Sequence, residues 1–242
     1  MARDVVLLHG FTHTGASWDP VVAALAAGYR ALAPDIRGHG AATEIEPVTL
    51  PAVLDDLAAD APARFTLVGY SMGGRIALHA ALAPALQVRL QRLVLIGASP
   101  GIADPAERED RRAADERLAE DLRAMTIEEF ARRWAQTPVL AGQPAEVAAA
   151  VHADRLRSQP AGLAAALRGL GAGALPSLWD RLSEIRAPVT LIAGERDDKF
   201  RAIATEMADA LANSDVAVIP GTGHAVHLEA PERVAALIGT GG

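Results

Sequence analysis

Residues 65–73 constrain this chain more than any other stretch: Phe65-Thr66-Leu67-Val68 runs without a break into Gly69-Tyr70-Ser71-Met72-Gly73 and then into an alanine-rich helical pattern. A short apolar run bounded by glycine reads as a buried strand, and the G-x-S-x-G after it must turn the backbone sharply from strand into helix. In such a turn the serine is held in a strained conformation that its flanking glycines accommodate, and its hydroxyl stands above the sheet at a helix N-terminus. The spacing therefore predicts an exposed Ser71, with the Met72 N–H aimed at charge developing on a reacting oxygen.

Similar apolar runs recur at Val5 to Leu8, Tyr29 to Ala33, Leu93 to Ile96, Val189 to Ile192 and Val216 to Ile219, with helical patterns at Val21 to Ala27, Leu50 to Ala59 and Met72 to Leu82. This alternation predicts an α/β chain of the α/β-hydrolase fold, a mostly parallel sheet flanked by helices. The rhythm breaks between about Asp104 and Asp180, so residues 104–180 read as an inserted helical lid and residues 1–103 and 181–242 as the core. Within the insertion Leu118, Leu122 and Met125 share a face. Thr126 with Glu129 forms a capping-box pattern opening a helix whose apolar face is Ile127, Phe130 and Trp134. The tract Gly169 to Pro176 reads as a flexible turn.

A chain of 242 residues suffices for one such domain. Its formal charge of −7 offers no basic field to nucleic acid or to an anionic membrane. Without cysteine, disulfides and thiolate metal sites are excluded. No stretch approaches the apolar length of a membrane span, and the charged N-terminus lacks a signal-like apolar region. The expectation is a soluble cytoplasmic protein with no nucleic-acid or membrane partner; oligomeric state leaves no trace in the sequence.

A serine of this kind needs a base, and the base needs an orienting carboxylate. On this fold the chain order is Ser, acid, His, with the acid after a late strand and the histidine after the last one. Asp197 in Gly194-Glu195-Arg196-Asp197 and His224 in Gly221-Thr222-Gly223-His224 stand at those places, with Glu195 and Asp198 as alternative acids. The other histidines read as turn, core or surface residues, and none shows a metal-site spacing such as H-E-x-x-H. His9-Gly10-Phe11 follows the first strand, which makes the Phe11 N–H the second oxyanion donor.

Arg75 lies one helical turn beyond Ser71 on the same face and projects toward the floor of the site. Insertion arginines such as Arg108, Arg111, Arg112 and Arg117 read as a solvated face, Glu107 and Arg111 forming an i,i+4 pair. Spacing alone selects none of them.

The strings Leu8-His9-Gly10-Phe11-Thr12, Gly69-Tyr70-Ser71-Met72-Gly73-Gly74-Arg75, Ala106-Glu107-Arg108 to Asp115, Trp134 with Pro138, Gly194 to Phe200 and Gly223-His224 together resemble one family, the 2-succinyl-6-hydroxy-2,4-cyclohexadiene-1-carboxylate synthases. The resemblance spans nearly the whole chain. It implies a cofactor-free lyase of menaquinone biosynthesis that removes pyruvate from 2-succinyl-5-enolpyruvyl-6-hydroxy-3-cyclohexene-1-carboxylate, with Ser71 acting as a base. It also implies that Tyr70 and Trp134 line the pocket and that Arg75, Arg111 and Arg157 meet the three substrate carboxylates. Leu140 departs from it, standing where relatives can carry an aromatic. The triad alone fits equally a serine esterase or carbon–carbon bond hydrolase in which Ser71 is the nucleophile.

Overall fold

The structure, a computed structural model, describes residues 3–137, 140 and 142–240. Six strands, β1 (Arg3–Leu8), β2 (Tyr29–Leu32), β3 (Phe65–Tyr70), β4 (Leu90–Ile96), β5 (Val189–Gly194) and β6 (Ser214–Ile219), form one sheet in the order β2-β1-β3-β4-β5-β6. Every neighbouring pair is parallel. Parallel strands need crossovers that cover the sheet, so the central strands are buried on both faces and read as unbroken apolar runs.

Alternation along each strand divides the core in two. Val6, Leu8, Phe65, Leu67, Leu93 and Leu95 pack on one side with α2 (Leu50–Asp60), α3 (Met72–Leu82), α4 (Pro84–Gln87) and α9 (Asp198–Ala210). Val5, Leu7, Val68, Tyr70, Val94 and Ile96 pack on the other with α1 (Asp19–Ala24), α10 (Val226–Glu229) and α11 (Pro231–Gly239). Each fully buried aliphatic or aromatic side chain contributes about 1.5–3 kcal/mol to that packing. α1 starts earlier than its pattern suggests, because Pro20 suits a first turn, and it ends at Ala24, where Leu25 becomes extended toward a left-handed turn at Gly28.

Between β4 and β5 the chain forms α5 (Pro105–Arg123), α6 (Ile127–Trp134), α7 (Ala145–Arg155) and α8 (Pro160–Leu170). Asp104 caps α5 by accepting from the Ala106 and Glu107 N–H groups, and the Thr126–Glu129 capping box of α6 is complete. Leu122, Phe130, Leu163 and Leu167 form a small separate core, with Phe11 and Trp134 packed on it. Gly169 proves to be a helical residue of α8 rather than part of a turn: a Cβ there would come within 1.8 Å of the Val48 carbonyl oxygen, so glycine lets the helix approach that loop. Arg111 pairs with Asp115 at 2.8 Å, not with Glu107, since the buried Asp115 carboxylate lies one turn onward. No described helix is long and apolar enough to cross a membrane.

Several histidines lie wholly inside. Burial outweighs the hydrogen bond to Gly10 and lowers the pKa of His9 to about 4; burial, with His9 close by, lowers that of His39 to about 3. His13 and His227 are lowered by burial too. These groups stay neutral in the fold while the unfolded chain takes up protons below about pH 6.5, so their stabilising contribution is complete above that pH and lost on acidification. The thermal midpoint is expected to hold above pH 6.5 and fall between pH 6.5 and 4, each histidine costing up to about 1.4 kcal/mol per pH unit. A midpoint that stays flat down to pH 4.5 would show that these rings are protonated in the fold.

Candidate active site

Ser71 sits between β3 and α3 with φ 50° and ψ −108°, one of two non-glycine residues with positive φ among the described residues. The close fit of the turn explains its glycines. A Cβ on Gly73 would lie 2.2 Å from the Leu8 carbonyl oxygen, and one on Gly69 would lie 2.5 Å from the Gly73 oxygen. The backbone itself is held by a 2.9 Å hydrogen bond from the Ser71 N–H to the Ile96 carbonyl.

The Ser71 hydroxyl lies 3.3 Å from His224 Nε2, and the Nδ1–H of that ring donates to Asp197 Oδ2 at 2.6 Å. Asp197 and His224 are both buried. Asp197 Oδ1 also accepts from the Phe200 N–H at the start of α9, which orients the carboxylate. Of the two alternative acids, Glu195 accepts from the Gly221 N–H and Asp198 pairs with Arg201, so neither turns toward the histidine. The loop carrying His224 is tied down by Glu229, which accepts from the Gly223 N–H at 3.0 Å and pairs with Arg196 at 2.8 Å.

The loop after β1 closes the site from the other side. His9 is a staple: its Nδ1–H donates to Gly10 O at 2.9 Å while its Nε2 accepts from the Ile36 N–H at 2.9 Å, an arrangement that only the neutral ring can satisfy. Gly10 is pressed so closely on Tyr70 that a Cβ would lie 2.7 Å from the ring. The Phe11 and Met72 N–H groups engage no acceptor among the described residues. Met72 is the first residue of α3, where an N–H has no partner within the helix.

Above Ser71 opens a cavity of about 280 Å³ lined by Phe11, Ser71, Met72, Arg75, Arg111, Trp134, Thr137, Ala166, Leu167, Gly171, Lys199, Phe200 and His224. Trp134 stacks on Phe130 with 5.6 Å between centroids and meets Phe11 edge-on at 5.2 Å. Three of the lining side chains are cations and none is a carboxylate among the described residues. Arg75 Nε is shut off from solvent with no hydrogen-bond partner, and burial, reinforced by Arg111, lowers its pKa to about 10. A cation so placed lacks an anion.

The structure thus brings Ser71, Asp197, His224, Phe11, Met72, Arg75, Arg111 and Trp134 to one place. Two expected pocket residues lie elsewhere. Tyr70 is buried behind the cavity against the rings of His13, His224 and His227, with its hydroxyl pKa raised by burial. Arg157 is 64% exposed at the end of α7, lies 3.7 Å from Asp154 and lines outer clefts with Thr14 and Ala16.

Pro138 and Val139, which carried part of the resemblance around Leu140, fall outside the described residues, while Leu140 is buried. Lys199 also lines the cavity, a place that its position inside the string Gly194 to Phe200 alone does not single out. Arg155, outside the cavity lining, is buried, donates from Nε to the Thr12 hydroxyl at 3.2 Å and leaves one terminal nitrogen unpaired. The spacing Arg155-Leu156-Arg157 at a helix end offers no means of choosing between the two arginines.

Residues 5–237 match the model of the family described as "Alpha/beta hydrolase family". A 2-succinyl-6-hydroxy-2,4-cyclohexadiene-1-carboxylate synthase from Salmonella heidelberg is 35% identical over 237 residues, covering 96% of this chain and 91% of its own. The solved structure of MenH from S. aureus superposes with a TM-score of 0.91 at 32% identity, over 99% of this chain and 92% of its own. A thermophilic esterase from Thermogutta terrifontis, solved with malate bound, superposes at 0.81 and 28%, over 98% and 88%.

Proposed function

The chain belongs to the α/β-hydrolase family and, within it, to the 2-succinyl-6-hydroxy-2,4-cyclohexadiene-1-carboxylate synthases, and from that premise we propose that its triad eliminates pyruvate from 2-succinyl-5-enolpyruvyl-6-hydroxy-3-cyclohexene-1-carboxylate in menaquinone biosynthesis. The enzyme is a lyase. The observation that carries the substrate reading is the cavity lining, with Arg75, Arg111 and Lys199 around Ser71 and no carboxylate among the described lining residues. A substrate with three carboxylates supplies an anion to Arg75 and a further partner to Arg111, which already pairs with Asp115, and paired Arg–carboxylate contacts fix its orientation.

In this reading His224 takes the Ser71 hydroxyl proton, and the resulting alkoxide removes the ring proton from the carbon bearing the succinyl group. The electron pair moves onto the adjacent carbonyl, where the Phe11 and Met72 N–H groups stabilise the oxyanion. Its return through the ring double bond breaks the bond between C5 and the enolpyruvyl oxygen. Pyruvate leaves as its enolate and recovers a proton delivered through His224, so the diene product forms with no net proton gained or lost. Asp197 holds the His224 ring in the required tautomer. Residues 104–180 act as the lid, with Trp134 as an aromatic wall.

An esterase would use the same triad, and the Thermogutta esterase shares the fold, but an esterase has no use for three cations. Supplying the enolpyruvyl cyclohexene substrate should yield pyruvate continuously, at a rate far above hydrolysis of a simple aryl ester. Fast ester turnover with no pyruvate would overturn the lyase assignment.

A further inference from the structure

The loop that carries Phe11 is held from outside by the insertion. Thr12 is fully buried in left-handed backbone, φ 69°, a conformation a β-branched residue adopts only when its surroundings enforce it. Asp154 of α7 supplies such a restraint on the same loop. Its Oδ2 accepts from the Thr14 N–H at 2.9 Å, its Oδ1 accepts from the Thr14 hydroxyl at 2.5 Å, and Oδ2 lies 3.5 Å from His13 Nδ1.

Its position is costly on two counts: the carboxylate is buried, and it sits in the last turn of a helix, where the dipole disfavours negative charge. Burial would raise its pKa, yet the adjacent His13 ring and the bonds from Thr14 hold it down at about 2. Asp154 therefore stays charged against this loop, with the exposed Arg157 Nε 3.7 Å away on its outer side.

We propose that Asp154 is a positioning residue for the lyase, clamping Thr14 so that the strained turn at Thr12 presents the Phe11 N–H to the developing oxyanion. The insertion then builds part of the catalytic geometry besides roofing the cavity. This role rests on the proposed oxyanion function of Phe11, so the test has one readout that needs the lyase reaction and one that does not.

Thr14→Val removes the hydroxyl donor at nearly constant shape, Thr14→Ser keeps it, and Asp154→Ala removes the acceptor without touching Thr14. Thr14→Val and Asp154→Ala are expected to lower kcat for pyruvate release about tenfold with KM within about twofold, less than the loss of a whole oxyanion donor. Amide exchange at Phe11 and Thr12 should quicken by a similar factor in both, and Thr14→Ser should restore both readouts. The double variant Thr14→Val/Asp154→Ala should be no slower than the worse single one, because one contact is lost only once.

Faster exchange with kcat unchanged would make the clamp merely structural and overturn the proposal, as would a raised KM at unchanged kcat or unchanged exchange. Should the wild-type enzyme release no pyruvate, the functional assignment fails, and unaltered exchange in the Thr14→Val chain would then refute the clamp separately.

Discussion

Ser71→Ala is expected to lower pyruvate release by about 100- to 10,000-fold while the protein folds normally, with His224→Ala falling in the same range. The size of the loss follows from what each group does. With the hydroxyl gone, no atom 3.3 Å from His224 Nε2 stands ready to accept the ring proton, and the oxyanion donors have no base to work beside. The double variant should be little worse than either single one, since the two groups act as one unit.

The strained backbone supplies an internal control. Alanine at φ 50° keeps the strain that serine bears, whereas Ser71→Gly relieves it, so the glycine variant should be about 1 kcal/mol more stable than the alanine one and equally inactive. Kinetics of pyruvate release and thermal unfolding of the three proteins check both statements. Substantial lyase activity in Ser71→Ala would mean that His224 takes the proton directly.

Arg75→Met is expected to lower kcat/KM for the lyase reaction by about 10- to 150-fold, the loss of a charge-assisted hydrogen-bonded contact of about 1.5–3 kcal/mol, and to leave hydrolysis of a neutral aryl ester within a few-fold. The same substitution should raise the thermal midpoint of the ligand-free protein. Arg75 is a cation without an anionic partner beside it, pushed down to about 10 by burial and by Arg111, and an apolar chain of similar length removes that repulsion. At this chain length each kcal/mol recovered is worth about 2–4 °C. A stabilised, substrate-blind variant would show the guanidinium to be a standing demand for the substrate. Equal loss of lyase and esterase activity would instead make it part of the frame.

How far the site could be read from residue order depends on which forces place each part. β3, β5 and the buried half of β4 from Leu93 to Ile96 are largely apolar runs because both faces of a parallel sheet are covered there, so local composition reveals them. Ser71 directly follows β3, Asp197 lies in the turn after β5 and His224 in the loop after β6, and strand ends are where local pattern and three-dimensional position coincide.

The cations are different. Arg155 and Arg157 differ by two positions at a helix end, and only the packing of α7 against the loop after β1 turns the first inward and leaves the second 64% exposed. The family resemblance implies a pocket place for Tyr70, but alternation along β3 turns its ring into the half of the core formed with α1 and α11, among His13, His224 and His227. The His9 staple needs both Gly10 and Ile36, and nothing local to residue 9 announces it.

The insertion leaves the sheet after β4 and returns at β5, and these two strands are direct hydrogen-bonded neighbours, Leu93 beside Val189 through Ile96 beside Ile192. With it cut out, the β4–β5 pairing and the triad residues remain, while the segment before Val189 still crosses the sheet from the end of β4 to the start of β5, because the pair is parallel. Nature or an engineer could therefore exchange the roof, and with it Arg111 and Trp134, as a cassette. The graft would carry one obligation beyond shape, a carboxylate at the place of Asp154 to receive Thr14, without which a new substrate would find the base in position and the oxyanion donor adrift.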